Sequence, residues 1–291
     1  MSEYLKLIRV KHWLKNILVF LPVFFSMNLL NTNLLLFNFY AFIIFCLCSS
    51  IVYIINDICD IDIDKKHPIK KARPLASGKI SIKNAYLMIL VLLVLILVFI
   101  ILIYTKIKSL WTFFIPIIYV LINILYSKKL KNIPIIDVVT IVIGFVLRVI
   151  YGGVVTNIEV SKYLHLMIMF GAFYLGFGKR RNEILKNGDK SRAVLKFYSK
   201  EFLDKNMYIS LALAIVSYTL WCVDPTTILR IGNEYIFWTI PLVMIILQRY
   251  SLDIEGNSYG DPIDVILSDK LLLLMVFIYG GVMILLLYVI K

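Results

Sequence analysis

Between two long apolar runs, residues 34–55 and 85–104, the chain reads Asn56-Asp57-Ile58-Cys59-Asp60-Ile61-Asp62-Ile63-Asp64, followed at once by Lys65, Lys66, Lys70, Lys71 and Arg73-Pro74. A helix turns by about 100° per residue, so Asn56, Asp57, Asp60 and Asp64 fall within an arc of roughly 100°, whereas Asp62 points well away. Three carboxylates therefore share one face. Like charges so placed repel unless a cation lies between them, and hard Mg²⁺, held by a few carboxylates and completed by phosphate oxygens, meets that need. The stretch reads as a magnesium-diphosphate site at a membrane surface, with Asp57, Asp60 and Asp64 as metal ligands. The competing reading is a solvated acidic loop neutralised by its own lysines, and the NDxxDxxxD spacing weighs against it.

The apolar runs set the class. Of 291 residues, 61% are hydrophobic, and the runs are far longer than a soluble core needs. Nine of them have the length of a membrane span: 14–31, 34–55, 85–104, 110–126, 135–155, 162–178, 206–223, 234–248 and 270–290. The expected fold is an all-α polytopic membrane protein with nine transmembrane helices in a single domain over 1–291. The first run keeps its basic flank and lacks a small-residue cleavage site, so it reads as an anchor.

With the N-terminus inside, 25 Lys and Arg residues fall on the inner side against five outside. The positive-inside rule then predicts a multi-pass protein of a bacterial-type inner membrane, N-terminus cytoplasmic and C-terminus outside. The net charge of +13 is mostly this topology signal. It also suits anionic head groups or phosphorylated substrates at the inner face, and nothing resembles a nucleic-acid module. Cys46, Cys48 and Cys222 lie in apolar runs and Cys59 among carboxylates, so neither zinc nor a disulfide framework is expected.

Polar residues collect on the cytoplasmic side in five places. Arg9-Val10-Lys11-His12-Trp13-Leu14-Lys15-Asn16 leads into the first run; an interfacial Trp among topology lysines explains it equally well. Lys70, Arg73 and the turn Pro74-Leu75-Ala76-Ser77-Gly78 stand behind the aspartates. Asn123, Tyr126 and Lys131 close the fourth run, and Asp137 opens the fifth. Arg148 lies about three turns further along, where an arginine must face the bundle interior as a site or a structural ion pair. Gly178-Lys179-Arg180-Arg181-Asn182-Glu183 ends the sixth run, as snorkelling anchors or as an organised site with a carboxylate one turn after Lys179.

The segments RVKHWLKN (9–16), NDICDIDIDKKHPIKKARPLASG (56–78), YSKKLKNIPIIDV (126–138), GFVLRVIYGG (144–153), GKRRNE (178–183) and GDPIDVILSDK (260–270) together resemble the UbiA superfamily of intramembrane prenyltransferases. They look most like its decaprenyl-phosphate phosphoribosyltransferase branch; the 23-residue central block is the most specific. His12 departs from the glutamine of that branch. The resemblance implies a UbiA-like helical bundle with a cytoplasm-facing site. It also implies an Mg²⁺-dependent transferase of cell envelope biosynthesis, moving 5-phosphoribose from phosphoribosyl pyrophosphate to a polyprenyl phosphate. Asp57, Asp60 and Asp64 would hold Mg²⁺ on the leaving diphosphate, with Asn56 in the polar shell. Lys70 and Arg73 would grip diphosphate oxygens. Lys179, Arg180 and Arg181, with Lys131 and Arg148, would hold the 5-phosphate or the acceptor phosphate, with Lys15, Asn16 and Tyr126 as neighbours.

Superfamily members that bind a prenyl diphosphate carry a second aspartate-rich stretch after the sixth span, where this chain has Lys179-Arg180-Arg181. Cations suit the extra 5-phosphate of a sugar donor better than carboxylates do. Two rival readings stand beside this one: an aromatic prenyltransferase using a prenyl diphosphate, and an anion transporter, which should show broken helices or internal repeats near mid-membrane, whereas here the polar residues crowd one face. Homo-oligomerisation is left open by the sequence.

Overall fold

Polar caps start the helices and apolar runs sustain them. The structure, a computed structural model, describes residues 3–66, 70–187, 193–256 and 262–290, and among these there is no strand. In chain order the helices are α1 (Glu3–Leu7), α2 (Leu21–Phe25), α3 (Thr32–Cys59), α4 (Ile61–Lys66), α5 (Ile82–Ile107), α6 (Trp111–Lys128), α7 (Ile136–Thr156), α8 (Lys162–Asn187), α9 (Lys200–Val223), α10 (Pro225–Ile231), α11 (Ile240–Glu255), α12 (Pro262–Ser268) and α13 (Lys270–Ile284). Asn31, Ser81, Ser199, Asp224 and Asp269 cap α3, α5, α9, α10 and α13, each with a side-chain oxygen accepting from first-turn N–H groups.

Among the described residues, seven helical segments are long and apolar enough to cross a membrane: Thr32–Cys59, Ile82–Ile107, Trp111–Lys128, Ile136–Thr156, Lys200–Val223, Tyr235–Glu255 and Lys270–Val289. Two of the nine expected runs differ. Residues 14–31 are not one α-helix: Val10–Phe20 winds as a 3₁₀ helix, α2 is short, and Met27 adopts a left-handed conformation (φ 59). Pro22 has no N–H for the carbonyl of Leu18, which disfavours a continuous α-helix through this stretch. Run 162–178 lies within α8, whose apolar stretch is diluted by Lys162, His165 and the polar run from Lys179 to Glu183.

The chain forms two compact units, Met1–Leu130 with Leu147–Glu159, and Lys131–Val146 with Val160–Lys291. In the first, α3 packs against α5, α6 and the 3₁₀ segment. The rings of Phe45, Tyr119 and Tyr151 meet at its centre, Phe45 lying 5.0 and 5.3 Å from the other two. In the second, α8 packs along α9, with α11 against α8, α9 and α13. Tyr174, Phe177, Leu203, Met207 and Ile254 are buried in its core. Leu87, Leu90, Val94 and Leu97 of α5 stay exposed, as a lipid-facing surface requires.

Gly152 of α7 allows a close backbone approach in the first unit. A Cβ there would lie 2.0 Å from the carbonyl oxygen of Val19, whereas one at Gly171 in α8 would meet nothing within 4 Å. Gly152→Ala is expected to lower stability by about 1–3 kcal/mol through overpacking. Gly171→Ala should be neutral or stabilising by up to about 1 kcal/mol from helix propensity. Thermal unfolding of the two variants in detergent checks this, and equal shifts would contradict it.

Candidate functional site

In the first unit the acidic motif crosses a helix end. Asn56 and Asp57 stand in the last turn of α3, Asp60 is its cap, and α4 resumes at Ile61. The helical path nevertheless continues, because the Asp60 N–H bonds to the Asn56 carbonyl at 3.0 Å and the Asp64 N–H to the Asp60 carbonyl at 2.8 Å. Asp57 and Asp64 therefore stay on one side and are both buried. Both accept from the same nitrogen, Arg73 Nη1, at 3.1 and 2.7 Å. Asp57 Oδ1 also accepts from Arg9 Nη2 at 2.5 Å, and the Arg9 guanidinium lies 4.6 Å from the centre of the Tyr53 ring. Asp60 is half-buried and accepts from Asn56 Nδ2 at 3.1 Å. The Asp62 side chain is 95% exposed.

Two carboxylates thus converge on one cationic position, and the third is held by the Asn56 amide. Among the described residues no three His, Cys, Asp or Glu side chains gather as a ready-made metal cage. A convergent pair of hard oxygen donors still fits Mg²⁺, which is commonly bound through one or two carboxylates, with substrate phosphates and waters completing its octahedron.

Deeper in the same unit, buried Asn16 accepts from Arg148 Nε at 2.7 Å, and its amide nitrogen lies 3.3 Å from Cys46 Sγ and 3.4 Å from Ser49 Oγ. Arg148 Nη2 donates to the Tyr119 hydroxyl at 2.9 Å, and the guanidinium lies 4.9 and 5.7 Å from the Tyr119 and Phe45 ring centres. The structure therefore brings Asn16 and Arg148 together, far apart in sequence. Lys15 and Tyr126 are half-buried and Lys70 is exposed.

In the second unit the basic end of α8 is woven into ion pairs. Arg180 is fully buried. Its Nε donates to Asp137 Oδ2 at 2.5 Å and its Nη1 to Glu183 Oε2 at 2.7 Å. Asp137 Oδ1 accepts from the Tyr198 hydroxyl at 2.6 Å, and that oxygen accepts from the Ile135 N–H at 2.5 Å. Burial and the Asp137 carboxylate push the Tyr198 phenol above its ordinary range, so it remains a donor at physiological pH. Ile135 has φ 68, a costly conformation for a β-branched residue, and Tyr198 pins it. Arg181 Nε donates to Asp204 Oδ1 at 2.5 Å, while Lys179 and Lys131 are half-buried. An open triplet of cations is therefore not what the structure places here: Arg180 is enclosed and Arg181 is paired.

Arg9, Tyr119, Tyr198 and Asp204 are the participants that sequence reading missed. Each is long-range, and helical spacing carries no trace of such a partner. Residues 67–69 of the central block and 260–261 of the last matching segment lie outside the described residues.

Comparison with known proteins agrees with this architecture. A model of the UbiA prenyltransferase family matches residues 19–266. The chain is 30% identical over 274 residues to a decaprenyl-phosphate phosphoribosyltransferase of Corynebacterium glutamicum, covering 92% of this chain and 81% of that one. It is 28% identical over 282 residues to the Mycobacterium tuberculosis protein of the same name, covering 93% and 89%. A UbiA homolog from Archaeoglobus fulgidus, solved with GPP and Mg²⁺, superposes with a TM-score of 0.68 at 20% identity, covering 99% of this chain and 100% of that one.

The ion pairs at α8 differ in burial, and so should the effect of breaking them. Arg180→Met leaves Asp137 and Glu183 without their shared cation and is expected to cost about 3–5 kcal/mol. Arg181→Met should cost less, because Asp204 is 25% exposed and water can replace the lost partner. Unfolding in detergent measures both, and equal losses would refute the ranking.

Proposed function

The chain belongs to the UbiA prenyltransferase family, and within it we propose that this membrane transferase moves 5-phosphoribose from phosphoribosyl pyrophosphate to a polyprenyl phosphate. The observation that carries the reading is the convergence of Asp57 and Asp64 on one cationic position. Likeness over 92% and 93% of the chain to two proteins named decaprenyl-phosphate phosphoribosyltransferase supports the choice of donor and acceptor.

In the proposed reaction an oxygen of the acceptor phosphate attacks C1 of the phosphoribosyl group as the bond from C1 to the pyrophosphate oxygen breaks. The attacking phosphate is already anionic, so no general base is needed. Asp57 and Asp64, aided by Asp60, would hold Mg²⁺, which when bound offsets the charge that develops on the departing diphosphate. Asn56 fixes the orientation of Asp60. Arg73 and Arg9, which pair with the two carboxylates, would turn to diphosphate oxygens, joined by the exposed Lys70. Asn16 aims Arg148, and with Lys15, Tyr126 and Lys131 they are assigned to the substrate phosphates. Lys179 and Arg181 are assigned to the 5-phosphate, with buried Arg180 holding the end of α8 in place.

The same reading places nine spans and one functional domain in a bacterial-type inner membrane, N-terminus cytoplasmic, with catalysis on the cytoplasmic side. The excess of 25 basic residues over five supports that orientation. The family match over 19–266 runs through both units and supports a single functional domain.

Purified protein given phosphoribosyl pyrophosphate, a polyprenyl phosphate and Mg²⁺ is expected to yield a lipid-linked phosphoribose by mass spectrometry, and chelation should stop it. Asp57→Asn and Asp64→Asn should each lower the rate about 100-fold or more, while Asp62→Asn stays near wild type. Lys179→Ala or Arg181→Ala should raise the apparent KM for the donor by about ten- to a hundredfold, the value of one charge-assisted phosphate contact. A prenylated aromatic acid formed from a prenyl diphosphate, with no phosphoribosyl product, would overturn the proposal.

A further inference from the structure

The second unit has a feature that the phosphoribosyl chemistry leaves unused. At the end of α9 away from the basic stretch, buried Cys222 is followed by α10, which Asp224 opens and left-handed Gly232 (φ 83) closes. Residues Tyr235–Thr239 then form a 3₁₀ turn leading into α11. These segments enclose an open cavity of about 390 Å³ lined by Cys222, Ile228, Glu234, Tyr235, Phe237 and Trp238, among others.

The rim has an unusual composition for an apolar surface. Tyr235, Phe237 and Trp238 are 60%, 47% and 70% exposed, and the last two rings meet edge to face at 5.6 Å. Aromatic faces carry partial negative charge and attract ammonium groups. Glu234 adds a full negative charge on the same cavity wall, and among the described residues no hydrogen bond or ion pair engages its carboxylate. Interfacial aromatics alone would be membrane anchors. A carboxylate set among three rings around a concavity adds a charge preference that anchoring does not need.

The α9 helix is 24 residues long, about 36 Å at 1.5 Å per residue, so the cavity lies roughly a bilayer's thickness from the basic end. Exposed Leu229, at 83%, lies on the adjoining helix and offers an apolar contact suited to an acyl chain. We propose that this cavity seats the ammonium group of a phospholipid head group, ethanolamine being the simplest of that class, with the carboxylate of Glu234 and the aromatic faces as its ligands. The site is independent of Mg²⁺ and of the phosphoribosyl donor.

The full-length protein in detergent is titrated with short-chain phosphatidylethanolamine, with phosphatidylglycerol of the same acyl length, and with free ethanolamine, following tryptophan fluorescence. Phosphatidylethanolamine is expected to give a saturable change that disappears in Trp238→Phe, weakens about three- to tenfold in Glu234→Gln, and weakens again in Tyr235→Leu. Phosphatidylglycerol should bind more weakly than phosphatidylethanolamine and be insensitive to Glu234→Gln. All three positions are exposed, so thermal unfolding of the variants should match wild type. Equal response to the two lipids with no effect of Glu234→Gln would overturn the proposal and leave the aromatics as anchors. Free ethanolamine binding as tightly as the lipid would overturn the lipid assignment in favour of a soluble amine.

Discussion

A carboxylate sealed from water at the end of an apolar helix needs a cation beside it, and in the first unit Arg73 meets that need for two at once. Because one of its nitrogens serves both Asp57 and Asp64, the two acids are drawn to a common point. They are carried by backbone that keeps its hydrogen-bonded path through the break at Asp60. The acids are thus fixed and the cation is borne on a long side chain. Acids held by hydrogen-bonded backbone lose little freedom when a ligand is engaged, which keeps the ordering cost of binding low. Arg9 shares the same Asp57 oxygen and ties the N-terminal segment to the same balance of charge.

The second unit solves the reverse problem. There the sealed group is a cation, Arg180, and the compensating groups are Asp137, Glu183 and, through Asp137, the hydroxyl of Tyr198. The planar fork of an arginine can meet two carboxylates in fixed directions, which a lysine ammonium does less well. The same hydroxyl stabilises the left-handed backbone at Ile135, so the turn that opens α7 and the basic end of α8 are locked by one network. A basic motif at a helix end can therefore act by holding the helix as well as by binding a ligand.

What could be read in advance was what depends on local periodicity. The helical repeat that groups Asp57 with Asp64 and turns Asp62 outward survives in the structure, because a single capped residue interrupts the winding without losing its register. The apolar runs likewise became helices, 110–126 even across Pro116, with 14–31 as the exception. The partners are not legible in that repeat: Arg73 stands on two acids, and Arg180 is enclosed by Asp137 and Glu183. Pairings between residues 43 or 48 positions apart, as for Arg180 with Asp137 and Arg9 with Asp57, follow from tertiary packing. The break-up of residues 14–31 was half legible, since Pro22 was in plain view, but hydropathy sums are blind to how a segment is wound.

That winding sets a length. An α-helix of the 11 residues Val10–Phe20 would rise about 16 Å, whereas three-residue turns at about 2.0 Å per residue carry them about 22 Å. The stretched segment also brings residues three apart to successive anchor points: the Trp13 side chain reaches Ser50, the Asn16 side chain reaches Arg148, and the Val19 carbonyl lies against Gly152. These three anchor points are spaced by the pitch of the tighter helix. Relaxing it to α would shorten the segment by roughly 6 Å and fan the same residues around the axis, so the three contacts act as a ruler that only the overwound form can match.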